Sequence, residues 1–119
     1  LNFGTVSVGA SGVVVNHAGQ RSGGDGYLIN DGNTPQAARI KLAHQPDVAG
    51  QVVTVNQIPN TTITDGSATI PVTTLTPSSS TTTLTTATHD DFTVGGTLGD
   101  TTNKPGGEYS GSFDVTVSY

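Results

Sequence analysis

The sequence predicts an all-β domain, an antiparallel sandwich of short strands, and three observations predict it. Apolar and polar residues alternate along several segments, most clearly from Tyr109 to Tyr119. Turn signals rich in Gly, Asn and Asp separate these segments at roughly regular intervals. No segment carries a convincing helical period; the nearest candidate, Pro35 to Leu42, fits a strand as well. Composition agrees. Hydrophobic residues make up only 32% of the 119 residues and charged residues only 11%. A disordered chain avoids apolar content by carrying charge. This one carries Thr, Ser and Gly instead. Thr is stiff at χ1 and fits a pleated surface, and Gly reaches positive φ in tight turns.

In chain order, Leu1, Phe3 and Thr5 alternate in one phase, and Val6 and Val8 continue in the other. Gly4 lies at the change, where a bulge would produce it. Val13 to Val15 begin a second strand, and Ala18-Gly19 turns it. Asp25-Gly26 precedes the strand Tyr27-Leu28-Ile29, and Asn30-Asp31-Gly32-Asn33 ends it. Ala38, Ile40 and Leu42 alternate with Arg39 and Lys41. Ala49-Gly50 leads into Val53, Val55 and Ile58, and Asp65-Gly66 turns between Ile63 and the Ile70 to Val72 strand. Pro77 to Thr88 is low in complexity and rich in Ser and Thr; it reads as an exposed β-segment or loop within the domain rather than a mucin-like linker. Phe92, Val94 and Leu98 flank Gly95-Gly96, and Pro105-Gly106-Gly107 introduces the last strand. There Tyr109, Gly111, Phe113, Val115, Val117 and Tyr119 take one face; Ser110, Ser112, Asp114, Thr116 and Ser118 take the other. That pattern predicts one half-buried strand along the whole segment. The sum is seven to nine strands in a single domain over residues 1–119.

Charge and composition narrow the function. The net charge is −5, and the four cations Arg21, Arg39, Lys41 and Lys104 are scattered, which does not suit a nucleic acid. No apolar run has the length of a membrane-spanning helix. The chain has no Cys, hence no disulfide framework and no thiolate metal site. Leu1 in place of Met points to a mature or trimmed product.

Candidate chemistry is sparse. His89 abuts Asp90 and Asp91, types that bind metals or polarise an imidazole, but in extended chain neighbours point to opposite faces. The expectation is a solvated turn before Phe92. Asp25-Gly26-Tyr27 and Asn30-Asp31-Gly32-Asn33 resemble calcium loops in composition but lack the spacing and the terminal Glu. Ser22-Gly23-Gly24-Asp25-Gly26 lacks the Lys of a phosphate loop, and no G-x-S-x-G elbow occurs. Asn60-Thr61-Thr62 is a formal glycosylation sequon. No catalytic, cofactor or metal residue is assigned, and the expectation is a protein that is not an enzyme.

Four motifs in order carry a resemblance. Leu1-Asn2-Phe3-Gly4-Thr5-Val6 resembles the "L-x-F-G" opening of spore-coat-U-like and related pilin-like bacterial secreted proteins. Thr34 to Ile40, Gln45-Pro46 and Gln51 to Val55 resemble that family's paired core strands. Val94-Gly95-Gly96-Thr97-Leu98 resembles its "V-G-G-T-L" segment, and Gly107 to Tyr119 its closing "G-x-Y-x-G-x-F-x-V-T-V-x-Y" strand. Subunits of archaic chaperone–usher pili are similar at both ends. The resemblance implies an incomplete Ig-like, pilin-like sandwich, completed by a donor strand from a neighbouring subunit. It implies a fibre on the surface of a Gram-negative cell, exported through the periplasm. The implied partners are identical subunits, a periplasmic chaperone and an outer-membrane usher. Family members carry an alternating apolar segment ahead of the opening that serves as donor; this sequence begins at the opening itself.

The residues alone agree with an open edge: no strand in the sequence follows Tyr119, and unpaired edges favour pairing with another chain. The expected interface residues are Leu1, Phe3, Val6, Val8, Tyr109, Phe113, Val115, Val117 and Tyr119. The leading expectation is therefore a structural filament subunit acting in adhesion or biofilm. The alternative is a secreted carbohydrate- or surface-binding sandwich. A hydrolase ranks third.

Overall fold

The computed structural model describes residues 1–24 and 26–119; the reading placed on Asp25 lies outside them. Among the described residues there are eleven strands and one 3-10 turn, and no α-helix. The strands are β1 (Thr5–Val6), β2 (Val13–Val15), β3 (Arg21–Ser22), β4 (Leu28–Ile29), β5 (Ala38–Ala43), β6 (Val52–Val55), β7 (Thr61–Thr64), β8 (Thr69–Pro77), β9 (Thr81–Thr83), β10 (His89–Leu98) and β11 (Val117–Ser118). The 3-10 turn is Pro46–Val48. Every pairing is antiparallel.

β10 organises the largest sheet. It pairs with β2 through Gly96–Leu98, with β5 through His89–Val94, and with β8. β3 extends the sheet beyond β2, and β7 extends it beyond β8. A second sheet runs β11-β6-β9, and β1 pairs with β4 as a third. Valines that alternate along these strands turn inward: Val13, Val15, Val72 and Val94 are fully buried. Phe3, Ile70, Leu75, Phe92 and Leu98 join them in one apolar core, sandwich-like in section. The β6 face contributes Val53 and Val55, while Val52 and Thr54 look outward. Gly95 is obligatory here, because a Cβ on it would strike the carbonyl of Val15. The ladder between β8 and β10 shifts register beside it, between Gly95 and Thr97.

Three expectations need correction. The segment Tyr109–Tyr119 is not one continuous strand: its ladder is confined to β11, with an isolated bridge at Ser110 to Thr64. The cause lies in its partner, the chain from Thr54 to Thr64, which crosses from one sheet to the other. Pro59 within that crossing has no N–H to donate, and Ile58 turns into the core. The alternation survives without the ladder, since Tyr109, Phe113, Val115 and Val117 still pack on the core. Tyr119 does not; it is 90% exposed. Next, His89-Asp90-Asp91 is no turn but the first stretch of β10. Last, strand number was underestimated, because pairs as short as Arg21–Ser22 carry no alternation to read. Gly4 has φ +72 where the chain passes from the Asn2 to Gln36 bridge to the pairing of β1 with β4. The Ser/Thr-rich stretch includes β9, an exposed strand within the fold.

Candidate functional site

An open cleft of about 760 Å³ lies between the two ends of the chain. Leu1 to Val6, with Val8, form one wall, Lys104 to Phe113 the other, and Ile63, Ile70, Val72 and Leu98 the apolar floor. The first wall is held from behind. Asn2 and Gln36 exchange main-chain bonds of 2.7 and 2.8 Å, and Ser7 N donates to Tyr27 O at 2.8 Å. Arg21 reaches over from β3 and forks onto this wall. One guanidinium nitrogen donates to the carbonyls of Phe3 (3.0 Å) and Thr5 (2.9 Å), the other to that of Ile29 (3.0 Å). Thr101 closes one end: its hydroxyl donates to Ala10 O at 2.9 Å and accepts from Gly9 N at 3.0 Å.

The second wall hangs on β7. Ser110 exchanges two main-chain bonds with Thr64, at 2.8 and 2.9 Å. The Thr61 hydroxyl donates to Ser112 O at 2.6 Å. Gly111 permits the approach, because a Cβ there would strike the carbonyl of Thr62. The Tyr109 hydroxyl donates back to Pro105 O at 2.7 Å and fixes the corner that enters this wall. Burial, then the Asp65 charge, raise that hydroxyl above its ordinary pKa. From Gly111 to Val115, among the described residues, no main-chain group bonds another main-chain group. The cleft thus combines an apolar floor with a wall on which Gly111 and Phe113 make no main-chain pair among the described residues.

Of the residues expected at an edge, Leu1, Phe3, Val6, Val8, Tyr109 and Phe113 meet in this cleft. Val115 packs on the core nearby. Val117 and Tyr119 line a second, smaller cleft of about 280 Å³ with Leu42, Val48, Val53 and Leu84. Arg21 and Thr101 escaped the sequence reading, since nothing local marks a lone Arg or one Thr among many.

The histidine–carboxylate chemistry is not where adjacency put it. His89 is exposed, and Asp91 meets Arg39 at 3.4 Å on the outer face. Asp90 points inward to His44, with Nε2 to Oδ2 at 2.6 Å. Thr85 donates to Asp90 through its amide and its hydroxyl, each at 3.0 Å. The Thr85 amide first, then His44, hold the Asp90 carboxyl below the usual range. This order, Thr to Asp to His, activates no nucleophile, because the hydroxyl meets the carboxylate and not the imidazole. Among the described residues no three His, Asp or Glu side chains gather as a metal set.

The profile of a family described as "Domain of unknown function (DUF4402)" matches residues 1–119. The chain belongs to the DUF4402 family. No curated protein and no solved structure matches it. The DUF4402 chain's cleft walls, floor and corner all fall within the matched span.

Proposed function

We propose that this DUF4402 chain is a structural subunit of an extracellular filament, joined to its neighbours by strand addition. The observation that carries the reading is the cleft, whose second wall runs into a stretch, Gly111 to Val115, that makes no main-chain pair among the described residues. An inserted strand satisfies such groups on one edge and places alternate side chains on an apolar floor. Edge chemistry supports the same choice. β5 pairs only with β10 among the described residues, and it carries Arg39 and Lys41, charges that discourage pairing on its other edge. The Gly111 to Val115 edge carries only Asp114.

Support for an Ig-like sandwich comes from Tyr109. Its hydroxyl bond to a carbonyl four residues upstream resembles the tyrosine corner that Ig-like sandwiches carry at the start of strand F. The sequence resemblance to spore-coat-U-like and pilin-like subunits agrees, and the proposal includes a donor strand from an identical neighbour and export to the cell surface. A head-to-tail contact of this kind need not close on itself and so can build fibres. Electron microscopy of the native assembly tests the reading. Fibres containing this chain are expected; a dispersed monomer on the cells that make it contradicts the proposal.

A further inference from the structure

We propose that His44 and Asp90 form a proton-operated clamp that pins the 3-10 turn and the Ser/Thr-rich loop to one end of the sandwich, and that loss of the proton frees the turn. His44 follows β5 directly, and its side chain is only 8% exposed. Nε2 meets the Asp90 carboxylate at 2.6 Å, and Nδ1 meets the Gln45 carbonyl at 3.0 Å. Both partners are acceptors only. A neutral imidazole has one N–H and cannot serve both; an imidazolium can. The geometry therefore fits the charged ring.

The groups around it agree. From β10 only Asp90 faces the ring; His89 and Asp91 lie on the other face, where Asp91 is opposite Lys41 and pairs with Arg39. The loop after β9 offers the amide and hydroxyl of Thr85, both directed at Asp90. From the C-terminal segment Tyr119 shares the small cleft with His44, and in the turn Asp47 is exposed. The Gln45 carbonyl first, then Asp90, raise the pKa of His44 above 6.5, against the opposing effect of burial. A raised pKa means that the clamp is fully engaged below about pH 6.5 and is lost as pH climbs through the folded value.

The charge-assisted bond to Asp90 is the stronger of the two, so a neutral ring keeps it and gives up Gln45. Gln45 leads into Pro46–Val48, and Gln45, Val48 and Gln51 line the small cleft with Leu42, Leu84 and Val117. Losing the proton thus loosens one side of that cleft, and acid tightens it.

The test is nitrogen NMR of the His44 ring in the folded chain from about pH 5 to 9, with amide exchange measured in parallel. His44 is expected to hold two N–H groups past pH 6.5. The amides of Val48, Ala49 and Gln51 are expected to lose protection through the same midpoint, beyond the roughly tenfold per pH unit of base catalysis. The Thr64 amide, bonded to Ser110 far from the clamp, is the control and should show base catalysis alone. In His44→Gln the step should vanish while the fold persists. A neutral, single-tautomer ring at pH 6 overturns the clamp, as does a step that survives in His44→Gln. Should His44→Gln not fold, the ring titration of the unaltered chain decides alone.

Discussion

Arg21 donates to three main-chain carbonyls on β1 and β4 and next to them, so it carries the first wall of the cleft on one side chain. Arg21→Met is expected to cost about 2 kcal/mol in urea unfolding, the scale for bonds to a charged donor. Arg21→Lys should recover only part, because an ammonium cannot fork. Gly111→Ala presses a methyl against the Thr62 carbonyl and should cost about 1–3 kcal/mol by the same measurement. Acid acts through carboxylates. Asp31 is held below 3.8 by the Thr5 hydroxyl and the Asn33 amide, Asp65 by the Ser67 and Ala68 amides, and Asp90 by Thr85 and His44. Depressed pKa values mean stabilisation that is complete above about pH 3.8 and lost as pH falls through the folded values. Unfolding followed by circular dichroism should therefore set in below pH 3.8, and Asp65→Asn should weaken the acid step. The Thr5–Asp31 and His44–Asp90 contacts and the Arg21 fork were not legible in the sequence, because each joins residues far apart in the chain, whereas the amide bonds to Asp31 and Asp65 lie in turns that Asn30 to Asn33 and Asp65-Gly66 signalled.

The C-terminal segment tests register at the level of the element. Phe113 lies on the core and lines the cleft, while Ser112 is exposed. Phe113→Asp should cost about 2–4 kcal/mol through lost burial and an unpaired charge. Ser112→Asp should stay within about 0.5 kcal/mol. Equal melting of the two variants would refute the register. This alternation was readable because side chains in extended chain obey a period of two whether or not a ladder forms. What could not be read was the ladder itself, since pairing depends on the partner, and Thr54–Thr64 leaves one sheet for the other midway. The strands β2, β5, β6, β8 and β10 announced themselves through Val, Ile, Leu and Phe at alternate places. β3 did not, being short and polar, and β9 was readable only as an exposed β-segment or loop. Asp90 illustrates the same limit at the site. Adjacency suggested His89, while topology delivered His44 from the paired strand's end.

The molecule is a rod. Its extents are 51 × 25 × 19 Å, and its radius of gyration is 16.1 Å, where a compact chain of this length would have about 13–14 Å. A filament of such rods should have an axial repeat no longer than the 51 Å of one subunit, since an inserted strand overlaps its acceptor. The central claim is that the cleft receives a strand, and amide exchange along Gly111 to Val115 tests it most directly. Two proteins are compared: the chain alone, and the chain carrying at its C-terminus, after a Gly-rich linker, a strand of about ten alternating Val and Thr residues. In the chain alone these amides are expected to exchange quickly. With the added strand they should slow by about a hundredfold or more, together with those of Val6 and Val8, as cooperative pairing requires. Amides already protected in the chain alone, or unchanged by the added strand, would contradict the account.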